Sequence, residues 1–192
     1  HMKKEHNTAV VGLGSMGYGM ALSCVRAGHK TYGFDVSPEP MRRLQNEGGQ
    51  GEKLFEIIST IDAVMVVVLN ARQTEDVLFG THGIVAQMRK GSVIVACATM
   101  PPDFARDMEE RCSMFGVFYL DAPISGGSIK AAAGQLSIMA SGTSEAFAAA
   151  SAVLNATAET IFKIGKTAGP GSAMKAVNQL LAGVHIATMA EA

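Results

Sequence analysis

The sequence has no tryptophan, only three cysteines, and charged residues at 17% of its 192 positions, with a formal net charge of -1. Each shortage excludes something. Near-neutrality removes the electrostatic footprint that nucleic acid or an anionic membrane surface requires. Cys24, Cys97 and Cys112 are odd in number and widely spaced, with no C-x-x-C, so neither a disulfide framework nor a zinc site is indicated and no metal is expected. They read as reduced core thiols of a cytoplasmic protein. No apolar stretch reaches the roughly 20 residues of a bilayer span, and the polar start at residues 1–7 lacks the form of a signal peptide. His1-Met2 reads as a cloning remnant. What remains is a chain that is 48% hydrophobic, enough for one sizeable core and at most one full domain. A small-molecule partner is favoured.

Short runs rich in Val and Ile recur along the chain at 9–11, 31–34, 63–69, 93–96, 117–120, 136–140 and 160–164, with helix-like segments between them. A weaker strand signal falls at 48–52. Continuous apolar runs bounded by Gly, Asp or Ser are what strands buried on both faces look like. The pattern predicts an α/β fold: a Rossmann-type, doubly wound, mostly parallel sheet. After the Gly-rich segment 165–171, with Pro170 suited to a first helical turn, comes a long helical pattern. Leu180, Leu181, Val184, Ile186 and Met189 point around most of its circumference, as on a buried helix. The expected division is 1–168 for the sheet domain and 169–192 for the start of an interdomain helix.

Between the first apolar run and the first helical pattern lies Gly12-Leu13-Gly14-Ser15-Met16-Gly17. Here Gly12 allows the tight turn, Gly14 lets backbone approach a pyrophosphate, and Gly17 lets helix and strand pack closely. The unpaired N–H groups and positive dipole end of the helix favour the dianionic phosphates without a basic side chain. The second strand ends in Asp35. A carboxylate there accepts both ribose hydroxyls of NAD and repels the 2′-phosphate of NADP.

Three further segments fall at strand ends, the edge where open α/β sheets bind ligands. Leu69-Asn70 lines the adenosine-to-nicotinamide path or is a plain helix-entry loop. Thr99 caps the following helix or contacts the nicotinamide end, and both roles are compatible. Ser125-Gly126-Gly127 offers a hydroxyl and accessible N–H groups as a nest for a substrate carboxylate, against the bland alternative of a Gly-Gly turn. On the last helix, helical spacing puts Lys175, Asn178 and Gln179 on one face, with Gly171 one turn earlier leaving room for a ligand. A helix lysine is usually solvated, but this helix is otherwise apolar. Lying near the positive dipole end and partly desolvated, Lys175 is placed to act as a base. His185 could share the face of Asn178, although an interior hydrogen-bonded histidine is the safer reading.

With Gly-Leu-Gly-Ser-Met-Gly at 12–17, Asp-Ala-Pro-Ile-Ser-Gly-Gly at 121–127 and Gly-x-x-x-Lys-x-x-Asn at 171–178 in this order, the chain resembles the β-hydroxyacid dehydrogenase family. The family includes 3-hydroxyisobutyrate dehydrogenases and tartronate semialdehyde reductases. The resemblance implies that Lys175 is the catalytic lysine, that Asn178 supports substrate, that Ser125, Gly126 and Gly127 bind its carboxylate, and that Thr99 contacts NAD. Gln179 replaces an Asn of many relatives, and Leu69-Asn70 replaces a Leu-Pro. Together with the stretch 179–187, these departures resemble the branch that oxidises the four-carbon sugar acid L-threonate at C2. Members carry an all-helical second domain that closes the site, expected to begin where this chain ends. A homo-oligomer formed through the final helix and that domain is expected. Two rivals are a semialdehyde reductase working with NADPH, which Asp35 opposes, and a dinucleotide-binding scaffold, which the presence of Lys175 opposes.

Overall fold

The computed structural model describes the backbone of residues 5–191 and the side chains of residues 5–183. In chain order the elements are β1 (Asn7–Val11), α1 (Ser15–Arg26), β2 (Lys30–Phe34), α2 (Pro38–Asn46), α3 (Leu54–Ile57), β3 (Ala63–Val66), α4 (Ala71–Phe79), β4 (Val93–Ala96), α5 (Pro102–Ser113), β5 (Phe118–Asp121), β6 (Ile124–Ser125), α6 (Gly127–Ala133), β7 (Leu136–Ser141), α7 (Ser144–Thr157), β8 (Ala158–Gly165) and α8 (Pro170–Glu191). Strands β2-β1-β3-β4-β5 lie side by side and parallel. Strand β7 then runs antiparallel to β5 and β6 and pairs in parallel with β8.

The alternation of side chains along each strand divides the core in two. Val10, Met65, Val95 and Leu120 face one cluster, which Met20 of α1 and Val153 of α7 complete. Their sequence neighbours Ala9, Val64, Ile94 and Tyr119 face the other, with Leu78 of α4 and Met108 of α5. Both sheet faces are therefore covered, as the uninterrupted apolar runs predict. Each large side chain buried this way contributes about 1.5–3 kcal/mol. Cys24, Cys97 and Cys112 are free and buried in these clusters, and burial pushes each thiol up to about 12.

The structure departs from expectation in several places. Strand β3 stops at Val66 and does not run to Leu69, because Asn70 caps α4 by accepting the Gln73 N–H at 2.9 Å and Gln73 Oε1 accepts the Leu69 N–H at 3.0 Å. Those bonds turn the chain off the sheet. The weak strand at 48–52 is reduced to one bridge between Tyr32 and Gln50. Strand β6 was not expected; Pro123 separates it from β5, and the Met139 N–H reaches the Pro123 carbonyl at 3.0 Å. Helix α8 starts at Pro170 as expected, yet after Ser172 none of its described residues is buried. Met174, Val177, Leu180 and Leu181 are exposed. The side chains of Val184, His185, Ile186 and Met189 lie outside the described residues.

Candidate active site

A cleft of about 1400 Å³ opens at the carboxyl ends of the parallel strands, where the chain order reverses across β1. Its walls bring together Gly12, Gly14, Asp35, Thr99, Ile124 and Lys175. The glycine loop occupies one end. Gly12 has φ +99°, and a Cβ there would lie 2.1 Å from the Val67 carbonyl oxygen; a Cβ on Gly17 would lie 1.9 Å from the Gly12 oxygen. At Gly14 nothing stands within 4 Å. Two glycines thus let the loop pack and one leaves its backbone open to the cleft. Helix α1 begins without a side-chain cap or an acidic residue in its first turn, whereas Asn70 and Thr143 cap α4 and α7. Its leading N–H groups fit a dinucleotide pyrophosphate. Ser15 and Met16 also line the cleft, while Leu13 buries its side chain in the core.

Asp35 is held by two backbone donors: Leu13 N–H reaches Oδ2 at 2.7 Å and Ser37 N–H reaches Oδ1 at 2.9 Å. The carboxylate therefore braces the glycine loop while lying in the cleft wall. Each oxygen keeps acceptor capacity for a ribose hydroxyl. Leu69 lines the cleft, 86% exposed, and its neighbour Asn70 serves the helix cap instead.

Thr99 faces the cleft but does not cap α5. The cap position is Pro101, extended at ψ 136° because a proline follows it, so the helix starts only at Pro102. The role expected of Gly171 is corrected too. A Cβ there would lie 2.5 Å from the Met139 oxygen and 2.9 Å from the Asp121 oxygen, so the room it provides is for close backbone packing and not for a ligand.

Lys175 and Ser125 are 50 residues apart in sequence and meet beside the cleft, whose wall includes Lys175 and Ile124. The Lys175 Nζ donates to Ser125 Oγ at 3.1 Å. Immediately after Ser125, Gly126 and Gly127 adopt φ +139° and +80° and stand exposed at the start of α6. From α8 the cleft wall takes Lys175 and Gln179, with Asn178 exposed beside them.

The residues behind this pair escaped the sequence reading. Asp121, Ser141 and Ser172 are fully buried polar groups, and both serine hydroxyls donate to the Asp121 carboxylate. Burial raises the Asp121 carboxyl above its ordinary range, and hydrogen bonds from Ser172, Gly169 and Ser141 offset only part of that rise. The available signal was an acid closing an apolar strand run, which Asp35 also displays. At Asp121 it passed as part of the loop that follows.

The geometry has sequence counterparts. Residues 7–165 match the family model described as the NAD binding domain of 6-phosphogluconate dehydrogenase. The chain belongs to this family. Among curated proteins, the L-threonate dehydrogenase of Cupriavidus necator is 45% identical over 189 residues, covering 98% of this chain and 64% of that protein. The enzyme of the same name from Haemophilus influenzae is 41% identical, with 98% and 64% covered. Among solved structures, a 3-hydroxyisobutyrate dehydrogenase from Salmonella typhimurium superposes with a TM-score of 0.92 at 40% identity, covering 97% of this chain and 66% of that one. The chain thus spans about two thirds of the length of the relatives it matches. The NAD-binding domain carries the expected Rossmann-type fold, and among the described residues no helix is long and apolar enough to cross a membrane.

Proposed function

We propose that residues 1–168 are the NAD-binding domain, and 169–192 the start of the interdomain helix, of an NAD-dependent hydroxyacid dehydrogenase whose substrate is L-threonate, oxidised at C2. The observation that carries this reading is the 3.1 Å contact between Ser125 Oγ and the Nζ of Lys175, which with Ile124, the residue before Ser125, lines the same cleft as the glycine loop. An amine and a hydroxyl converging beside a dinucleotide site are what proton transfer to or from a carbinol needs. NAD, when bound, supplies the hydride acceptor. Gly12, Leu13, Gly14, Ser15, Met16, Gly17, Asp35, Leu69, Asn70 and Thr99 form the cofactor side, Leu13 through its backbone and Asn70 by shaping the loop that carries Leu69. Ser125, Gly126 and Gly127 orient the substrate carboxylate, with Asn178 alongside. Lys175 takes the hydroxyl proton at Nζ during oxidation and returns it in the reverse direction. The three buried, free thiols suit a reducing, cytoplasmic setting.

Substrate identity is tested by assaying the full-length protein with NAD against three- and four-carbon hydroxyacids. L-threonate should give the highest kcat/KM. The name of the Salmonella relative makes 3-hydroxyisobutyrate the second reading, and a higher kcat/KM for it would replace the first.

Cofactor choice follows from Asp35. NAD should bind at least tenfold more tightly than NADP, since the extra phosphate would meet a carboxylate already fixed by two backbone donors. Asp35→Ala should weaken NAD by roughly tenfold and narrow the gap, and part of that loss will come from releasing Leu13. Calorimetry giving equal or tighter NADP binding to the unmutated protein would overturn the assignment.

Helix α8 carries a stripe of exposed apolar residues, Met174, Val177, Leu180 and Leu181, the last two at 67% and 63% exposure. Contiguous apolar surface of this kind favours association. This 192-residue chain should therefore bind NAD, turn over hydroxyacid poorly and form oligomers through α8. Light scattering that finds a clean monomer, or a turnover assay that finds full activity, would contradict this reading of the helix.

A further inference from the structure

The hydrogens around Asp121 can all be placed. Gly169 N–H at 3.1 Å and Ser172 N–H at 2.8 Å have only Oδ2 to donate to. The Ser172 hydroxyl accepts from Met100 N–H at 3.2 Å, which leaves its own proton for Asp121 Oδ1 at 2.6 Å. The Ser141 hydroxyl likewise accepts from Gly171 N–H at 2.8 Å and donates to Asp121 Oδ2 at 3.2 Å. Pro170 has no N–H, and Ala173 N–H begins the helical ladder to Gly169 O at 3.0 Å. One buried carboxylate thus accounts, directly or through a serine, for every leading donor of α8.

The position of this clamp matters more than its strength. Lys175 lies three residues beyond Ser172 on the rigid first turns of α8. Ser125 lies four residues beyond Asp121, and Thr99 is next to Met100. Three segments that meet the cleft from separate parts of the chain are therefore tied to one side chain that is itself outside the cleft wall. Building on the acid–base reading of Lys175, we infer that Asp121 is a positioning residue that, with Ser172, sets Lys175 Nζ against Ser125 and the Thr99 loop. It touches neither substrate nor cofactor.

The test is a mutant cycle in the full-length enzyme. Asp121→Asn keeps the size of the side chain and one acceptor, but whichever way its amide turns, an NH₂ faces either the backbone donors or the Ser172 hydroxyl. Because displacements near 1 Å cost up to about 100-fold in rate, this variant should lower kcat by about tenfold, with the Kd for NAD changed less than about twofold. Ser172→Ala removes a single arm and should lower kcat by roughly threefold; it also carries the test if Asp121→Asn fails to fold. In a Lys175→Ala background neither substitution should lower kcat further, since the group they position is gone. The same fractional loss with and without Lys175, or unchanged kcat in the parent enzyme, would overturn the inference alone. Full turnover by Lys175→Ala itself would bring down the acid–base reading and this inference with it.

Discussion

Lys175→Ala in the full-length protein is expected, on the proposed acid–base role, to lower kcat by about 10²–10⁴-fold, the range for losing a positioned general acid–base, while the Kd for NAD changes by less than about twofold. The separation follows from where the side chain is held. Its hydrogen bond goes to Ser125 Oγ, and neither the bonds that hold Asp35 nor the packing of Gly12 and Gly17 involves it. Ser125→Ala should act differently, raising KM for the hydroxyacid more than it lowers kcat, because the role proposed for the hydroxyl is to bind the substrate carboxylate. Steady-state kinetics for both variants, with calorimetry for NAD, make the comparison. Near-full turnover by Lys175→Ala would refute the mechanism even with the fold correct.

The second large effect divides the glycine loop by function. Gly12→Ala must place a Cβ 2.1 Å from a backbone oxygen at φ +99°. The left-handed backbone costs about 1–2 kcal/mol, and forcing the neighbouring strand end aside adds about 1–3 kcal/mol. A loss near 3 kcal/mol should lower Tm by about 6–12 °C for a chain of this size. Gly17→Ala, whose Cβ would lie 1.9 Å from the Gly12 oxygen, should do at least as much damage without any backbone strain of its own. Gly14→Ala is the contrast. Its φ of -64° suits any residue and nothing stands within 4 Å of the new methyl, so Tm should stay nearly constant. Affinity for NAD should nonetheless fall by at least about tenfold, because the methyl projects into the space a pyrophosphate would use. Thermal melts and NAD titrations of the three variants separate packing from binding. Unchanged NAD affinity in Gly14→Ala would move the pyrophosphate away from this loop.

What was legible in the sequence was whatever depends on near neighbours in the chain. Strands buried on both faces must be apolar at every position, so the runs at 63–69 and 93–96 announce themselves, and the strands within them, Ala63–Val66 and Val93–Ala96, are buried throughout. The glycines at 12, 14 and 17 are legible because a strand, a tight turn and a helix N-terminus impose a fixed spacing. Pro170 could be read as a first-turn residue because its missing N–H costs nothing there. For Leu69-Asn70 a helix-entry loop was one of two readings, and the cap that Asn70 makes on α4 settles its side chain's role only once its partner is known.

Tertiary structure decided the rest, for one physical reason: the deciding contacts join residues far apart in the chain. Ser125 and Lys175 lie 50 residues apart, and only the packing of α8 against β7 and β8 brings them to 3.1 Å. Gly171 reads from sequence as space beside a ligand and proves to be space for the backbone of β7 and β5, because neither carbonyl is near it in sequence. Asp121 is the clearest case. Nothing local distinguishes an acid that closes a strand and lines an open cleft, as Asp35 does, from one that is sealed inside. Its four donors come from residues 141, 169 and 172, and only the folded chain assembles them around one carboxylate. Sequence by itself determined the family, the sheet and the glycine loop, because those follow from local backbone requirements. The geometry that holds Lys175 in place was left to tertiary structure, because a buried polar group has no meaning until its partners are in position.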